Sequence, residues 1–157
     1  MANFPPLSPS QVLALLPQQA PFRYVDEITE VDEKHIVGKY TFKPTEFFYA
    51  GHFPGKPVTP GVILLESMCQ LGVVCQGIYL VGIELPPEEH NDWLTLFSDA
   101  QVEFLRSVLP GETVTIKGEL EFWRRKKLRA KVSMYLADGT LAATCTASGI
   151  GVKNEQK

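Results

Sequence analysis

Two side chains fourteen residues apart could share one proton-transfer reaction: His52 in GHFPGKPVTP and Glu66 in GVILLESMCQ. An imidazole changes charge near neutral pH and suits a general base. A carboxyl group in an apolar run is penalised when charged, so its pKa rises and it can stay protonated as an acid. Such a pair could take a proton from carbon and deliver one to a departing hydroxyl group. An elimination of this kind beside a carbonyl also needs a donor for the charge that builds on the carbonyl oxygen. The first N–H groups of a helix have no partner inside it, and the helix dipole adds to their pull on an anion. Pro60 has no N–H, so Gly61 and Val62 are the expected donors. Gln70 lies four residues beyond Glu66 on the same helix face and could orient its carboxyl group.

These residues need two kinds of support. Gly51, Pro54, Gly55, Pro57 and Pro60 exclude a regular element before the helix and impose one loop path. Gly61 to Val81 is almost wholly apolar, which predicts one long helix. Thr59 is the expected N-cap, Pro60 the first helical residue, and Gly82 with Pro86 the exit. A helix apolar on every side is buried in a core or in a membrane. Glu66, Gln70 and Gln76 inside it, with no basic flank close by, favour a core, and no membrane span is expected.

Around this helix the chain reads as strands. Ser8-Pro9 opens a short helix that Pro17 closes. Tyr24 to Val31, His35 to Phe42 and Thr95 to Phe104 read as strands, and Leu85 to Asp92 as a polar surface loop. Val114, Ile116, Leu120 and Phe122 alternate with polar residues, as do Leu128 to Leu136 and Leu141 to Ala147. Pro110-Gly111 and Asp138-Gly139 mark turns between them. The reading is α+β: an antiparallel sheet of about six strands wrapped around one long central helix, with residues 1–157 forming one domain.

Composition bounds the function classes. The chain is 45% hydrophobic and 21% charged, ordinary for a folded soluble protein, and its net charge of −3 argues against a nucleic-acid partner. Cys69, Cys75 and Cys145 form no CxxC pair, and the start lacks a signal peptide, so a cytoplasmic location is expected. Cys69 and Cys75 read as buried, inert thiols. His35 and His90 read as solvated. No His, Cys and carboxylate spacing suits a metal, and none is expected.

The stretch GHFPGKPVTPGVILLESMCQ resembles the signature of the FabZ-type 3-hydroxyacyl-[acyl-carrier-protein] dehydratases, which have the hot-dog fold. LPQQAPFRYVDEI resembles that family's opening segment, and EFLRSVLPGETVTI its strand, turn and strand. The resemblance implies that His52 and Glu66 are the catalytic pair, with Gly61, Val62, Phe53, Pro60 and Gln70 around the substrate. It implies a homodimer, or a trimer of dimers, with the His loop of one subunit facing the Glu-bearing helix of the other. The substrate would ride on the phosphopantetheine of acyl carrier protein, or on coenzyme A, and the protein would need no cofactor of its own. The product would be a trans-2-enoyl thioester for fatty-acid or related lipid or polyene synthesis. A related branch that also isomerises this product carries Asp where this chain has Glu66, which implies dehydration without isomerisation.

Arg106 and the run Arg124-Arg125-Lys126-Lys127 are the expected docking residues for an acidic carrier or for coenzyme A phosphates. The same run also reads as a solvated turn guarding a sheet edge. Gln101 and Glu103 stand where family members often carry basic residues, and Thr59 where they usually carry an apolar one. Two other functions remain open at this point. One is a hot-dog thioesterase that uses Glu66 to activate water. The other is a non-catalytic partner subunit that binds acyl thioesters.

Overall fold

Alternating apolar residues become strands and the unbroken apolar run becomes a helix, in a computed structural model that describes residues 3–154. The outermost parts of the expected domain, residues 1–2 and 155–157, lie outside the described residues. Helix α1 spans Pro9–Ala14. Ser8 Oγ accepts the Gln11 N–H, and the Gln11 side chain accepts the Ser8 N–H, a reciprocal cap. Strands β1 (Glu27–Val31) and β2 (His35–Thr41) follow, then the long helix α2 (Gly61–Glu84). The remaining strands are β3 (Trp93–Phe104), β4 (Thr113–Arg124), β5 (Lys127–Tyr135) and β6 (Leu141–Lys153). All six form one antiparallel sheet in the order β1-β2-β4-β5-β6-β3. This is the hot-dog arrangement expected from the sequence.

The sheet's inner face wraps α2. Ile36, Tyr40, Ile116, Val132, Met134 and Cys145 are buried there with Leu71, Val73 and Val74 of the helix. Contact is closest at Gly72. A Cβ on Gly72 would lie 2.3 Å from Val132 Cγ2, and one on Gly118 would lie 3.1 Å from the Gly72 Cα. Two glycines thus let helix backbone rest directly on β4 and β5. Over this contact, Gln70–Cys75, the helix widens into π turns. By length and composition α2 could cross a membrane, but 67% of its apolar window is buried within the protein.

Several sequence expectations need correction. The helix runs past Gly82 to Glu84 because Gly82 is a packing position: a Cβ there would meet Leu7 Cδ1 at 2.6 Å. The helix stops at Leu85, extended before Pro86, as a residue preceding proline prefers. Pro60 is the N-cap rather than the first helical residue, and no side chain caps the helix. Thr59 is instead buried, its hydroxyl 2.6 Å from the Tyr49 hydroxyl. Strand β1 starts at Glu27, not Tyr24, because the Tyr24 backbone is claimed by α2: its N–H donates to Gln70 Oε1 and its carbonyl accepts from Ser67 Oγ, both at 2.8 Å. The polar stretch before β3 forms a 3₁₀ segment, Pro87–Asp92, and β3 begins at Trp93. His90 in that segment is half-buried, its Nε2 bonded to the Leu85 carbonyl at 2.9 Å. In β4 the alternation breaks at a bulge between Leu120 and Phe122. The extra residue reverses the facing, so Trp123 packs inward and Phe122 faces out.

Candidate active site

The loop before α2 delivers His52. Its backbone N–H donates to the Tyr49 carbonyl and its carbonyl accepts from the Val58 N–H, so the Gly/Pro-rich segment closes on itself. The ring stacks on Phe53 with centroids 4.1 Å apart, across a cis peptide bond. His52 Nδ1 lies 2.9 Å from the Val58 carbonyl oxygen. A carbonyl can only accept, so Nδ1 carries the proton and a neutral His52 keeps its lone pair on Nε2. The Val58-Thr59 backbone is itself anchored, through Thr59 N–H to the Val108 carbonyl at 2.9 Å and through the Tyr49–Thr59 hydroxyl pair.

The first turn of α2 supplies donors. Ile63 N–H is the first taken up, by the Pro60 carbonyl at 2.9 Å. The N–H groups of Gly61 and Val62 therefore stand outside the helix ladder. The space beside the Gly61 Cα is filled by the Phe104 ring: a Cβ on Gly61 would come within 2.9 Å of it. Phe104 also lines the pocket around His52, together with Val58, Gly61, Leu64 and Arg106. The sequence marks Phe104 only as the last residue of a strand. Its real place follows from β3 being an edge strand, which a single sequence does not announce.

One turn further on, Glu66 faces another way. It lines a pocket with Val62, Leu65 and Cys69 of α2 and Phe97 to Ala100 of β3. Burial raises the Glu66 carboxyl above its usual range, and the Gln70 hydrogen bond opposes this more weakly. Gln70 Nε2 donates to Glu66 Oε2 and to the Phe22 carbonyl, each at 2.9 Å, and Gln70 Oε1 accepts from the Tyr24 N–H. With every polar atom engaged and no exposed surface, Gln70 holds the carboxyl group against a fixed backbone.

The His52 and Glu66 pockets share no lining residue. Gly61 and Leu64 form one stripe of the helix, and Val62, Leu65, Glu66 and Cys69 another, so base and acid stand on different sides of α2. Within one chain they do not meet. Among the expected docking residues, Arg106 borders the His52 pocket, and Arg124, Arg125 and Lys127 are exposed at the β4–β5 turn. Lys126 is tied into the fold, with its Nζ 3.3 Å from Glu84 and 5.2 Å from the Trp93 ring centre. Burial lifts the Cys75 thiol to about 12, in keeping with an inert core residue.

Comparison with known proteins adds a second line. The profile of the FabA-like domain matches residues 16–146. A 3-hydroxyacyl-[acyl-carrier-protein] dehydratase FabZ of Chloroflexus aggregans is 35% identical over 134 residues, which is 84% of this chain and 88% of that protein. A bifunctional enzyme LpxC/FabZ of Porphyromonas gingivalis is 36% identical over 108 residues, which is 69% of this chain but 22% of that longer protein. Among solved structures, the dehydratase heterocomplex ApeI:P from Xenorhabdus doucetiae contains a chain with a TM-score of 0.74 at 17% identity, covering 95% of this chain and 93% of that one. That likeness speaks for the fold.

Proposed function

The chain belongs to the FabA-like domain family, and from that premise we propose that it is a FabZ-type enzyme that dehydrates 3-hydroxyacyl thioesters carried on acyl carrier protein. The observation that carries the mechanism is the lone pair left on His52 Nε2 by the Val58 carbonyl. In this reading His52 takes a proton from the carbon next to the thioester carbonyl. The electrons form the new double bond, and the bond to the hydroxyl oxygen breaks. Glu66, whose burial favours the protonated form, gives its proton to that oxygen, which leaves as water. The N–H groups of Gly61 and Val62 meet the charge on the thioester oxygen. Phe53 and Pro60 border the substrate, and Gln70 keeps the acid aimed. Protons move and nothing is oxidised, and this reading assigns the base, the acid and the oxyanion donors to the chain's own residues, with no metal or further cofactor.

The pair is completed by a second copy of the chain. Strand β3 is a sheet edge, and Leu96, Phe97 and Phe104 are exposed on it. Val62, at the mouth of the Glu66 pocket, is 71% exposed, and Phe53 beside His52 is 54% exposed. Apolar surface of this kind marks an interface, and a two-fold pairing through β3 would bring each His52 to the partner's Glu66. The homodimer is thus part of the proposal. So are carrier docking at Arg106, Arg124, Arg125 and Lys127, a cytoplasmic site of action, and dehydration without isomerisation. The test is hydration of a crotonyl thioester, followed at the enoyl absorbance. Loss of absorbance with the thioester intact supports the dehydratase. Release of free thiol instead would make the protein a thioesterase, and neither change would leave it a binding subunit.

A further inference from the structure

Thr59 is a buried polar residue beside the base. It borders the His52 pocket, is 4% exposed, and its hydroxyl lies 2.6 Å from that of Tyr49, itself 5% exposed. The Tyr49 ring packs edge-on against Phe48 with centroids 4.7 Å apart, so its hydroxyl is held from behind. Burial raises the Tyr49 hydroxyl above its usual range, so the pair stays neutral at the pH where an imidazole titrates. A hydrogen bond between neutral hydroxyls adds little net stability, and two apolar side chains of the same shape would fill the space nearly as well. Fold stability alone therefore gives no reason for two hydroxyls here.

What the pair touches supplies the reason. Val58 and Thr59 share one trans peptide unit, planar and stiff. Its oxygen accepts the His52 Nδ1 proton at 2.9 Å, and its N–H donates to the Val108 carbonyl at 2.9 Å. These two bonds leave the unit in opposite directions. They fix its position but leave a swivel about the line that joins them. A turn about that line would tilt the carbonyl plane, and with it the lone pairs that the imidazole proton follows. The Thr59 side chain stands off the line, so its bond to Tyr49 stops the turn. Tyr49 is in turn tied to the base, since its carbonyl accepts the His52 N–H at 3.2 Å. Base, peptide unit and hydroxyl pair thus close one ring of hydrogen bonds and backbone. Pro57 and Pro60, each with its φ fixed, flank the unit and leave the segment little slack.

We propose that Tyr49 and Thr59 are positioning residues for the base: their hydroxyl pair sets the tilt of the Val58–Thr59 peptide unit, and through it the direction in which His52 Nε2 faces the substrate. Both act through His52 rather than on the reacting atoms. Nε2 must reach one carbon-bound proton, and a base out of line by a fraction of an ångström loses rate without losing affinity. The proposal rests on the dehydratase reading for the reaction it serves. It adds to that reading two residues whose side chains supply no acid or base at neutral pH.

The variants are the double change Tyr49→Phe with Thr59→Val, which replaces both hydroxyl groups by apolar shapes, and the single changes Thr59→Val and Thr59→Ser. Hydration of crotonyl pantetheine gives kcat and KM, thermal melts give stability, and nitrogen NMR gives the tautomer of His52. The double variant should melt close to the wild type. It should lose roughly tenfold in kcat and keep KM within roughly twofold. Its neutral His52 should carry the proton on Nε2 in part of the population, which the wild type should not. Thr59→Ser keeps the hydroxyl and loses the methyl group, and Thr59→Val does the reverse. Thr59→Ser should therefore retain roughly fivefold more kcat than Thr59→Val. Wild-type kcat in a folded double variant, or a loss confined to KM, would overturn the proposal. If the double variant does not fold, the comparison of Thr59→Ser with Thr59→Val decides, and equal kcat in the two overturns it. If the wild type hydrates no thioester, the dehydratase reading fails by itself. The NMR comparison then decides the positioning role, a shifted tautomer in the double variant supporting it and an unchanged one overturning it.

Discussion

At Glu66 two effects oppose each other: burial raises the carboxyl pKa above its ordinary 4.5, and the Gln70 hydrogen bond lowers it by less. The folded pKa therefore exceeds the unfolded one. Below the unfolded value the group is neutral in both states. As pH rises through the folded value, the fold must hold a poorly solvated charge, and its stability falls relative to a neutral side chain. Glu66→Gln keeps an acceptor for Gln70 and removes the proton. Thermal melts at about pH 4 and about pH 8 should show this variant gaining on the wild type at the higher pH. Its hydration turnover should fall about a hundredfold or more. A variant that loses ground at high pH would reveal a cation beside Glu66 and remove the acid from the mechanism. For His52, nitrogen NMR should place the proton of the neutral ring on Nδ1, since Val58 offers only an acceptor. A proton on Nε2 would contradict the proposed base. His52, Glu66 and Gln70 were legible in the sequence because their side chains carry chemistry that an apolar helix or a bare loop does not explain. The Val58 carbonyl was not, because a backbone acceptor has no residue signature.

Gly72 and Gly77 look alike in the sequence, two glycines in one apolar helix, yet α2 treats them oppositely. At Gly72 an added methyl group would lie 2.3 Å from Val132 Cγ2, so Gly72→Ala should destabilise by about 1–3 kcal/mol through overpacking. At Gly77 the same methyl group would meet only ordinary contacts, so Gly77→Ala should stabilise by about 0.5–1 kcal/mol through helix propensity. Urea denaturation of both variants checks this, and like signs would show that the helix does not ride on β5 as described. The pair also shows how far a sequence reaches at this scale. Period-two runs announced β4, β5 and β6, and the long apolar run announced α2, because hydrophobic patterning follows local geometry. The bulge that turns Trp123 inward and Phe122 outward left no such trace, since the alternation reads smoothly through Phe122. The start of β1 was misplaced because Gln70 and Ser67, more than forty residues away, claim the Tyr24 backbone. Contacts of that range decide boundaries without altering any local pattern.

For the molecule as a whole the separation of base and acid is the governing fact. Two pockets without a common residue lie on different sides of one helix, so the proposed chemistry needs an assembly, and no pattern within one chain shows which surfaces meet. The exposed cations form a second large-scale feature. Charge reversal at Arg124, Arg125 and Lys127 should weaken turnover of carrier-bound substrate more than of a short pantetheine thioester, and added salt should narrow the difference. Equal losses on both would return these residues to the role of a solvated turn. The assembly itself can be tested with two inactive proteins. His52→Ala and Glu66→Gln homodimers each lack one member of every pair. A mixed dimer of the two has one site with both members missing and one in which the His52 of the second variant faces the Glu66 of the first. After random exchange half of the dimers are mixed, so about a quarter of wild-type activity should return under two-fold pairing. Exchange is verified by mass spectrometry of differently tagged subunits. If mixed dimers form and activity stays at the level of the separate variants, His52 and Glu66 do not act across the β3 edge.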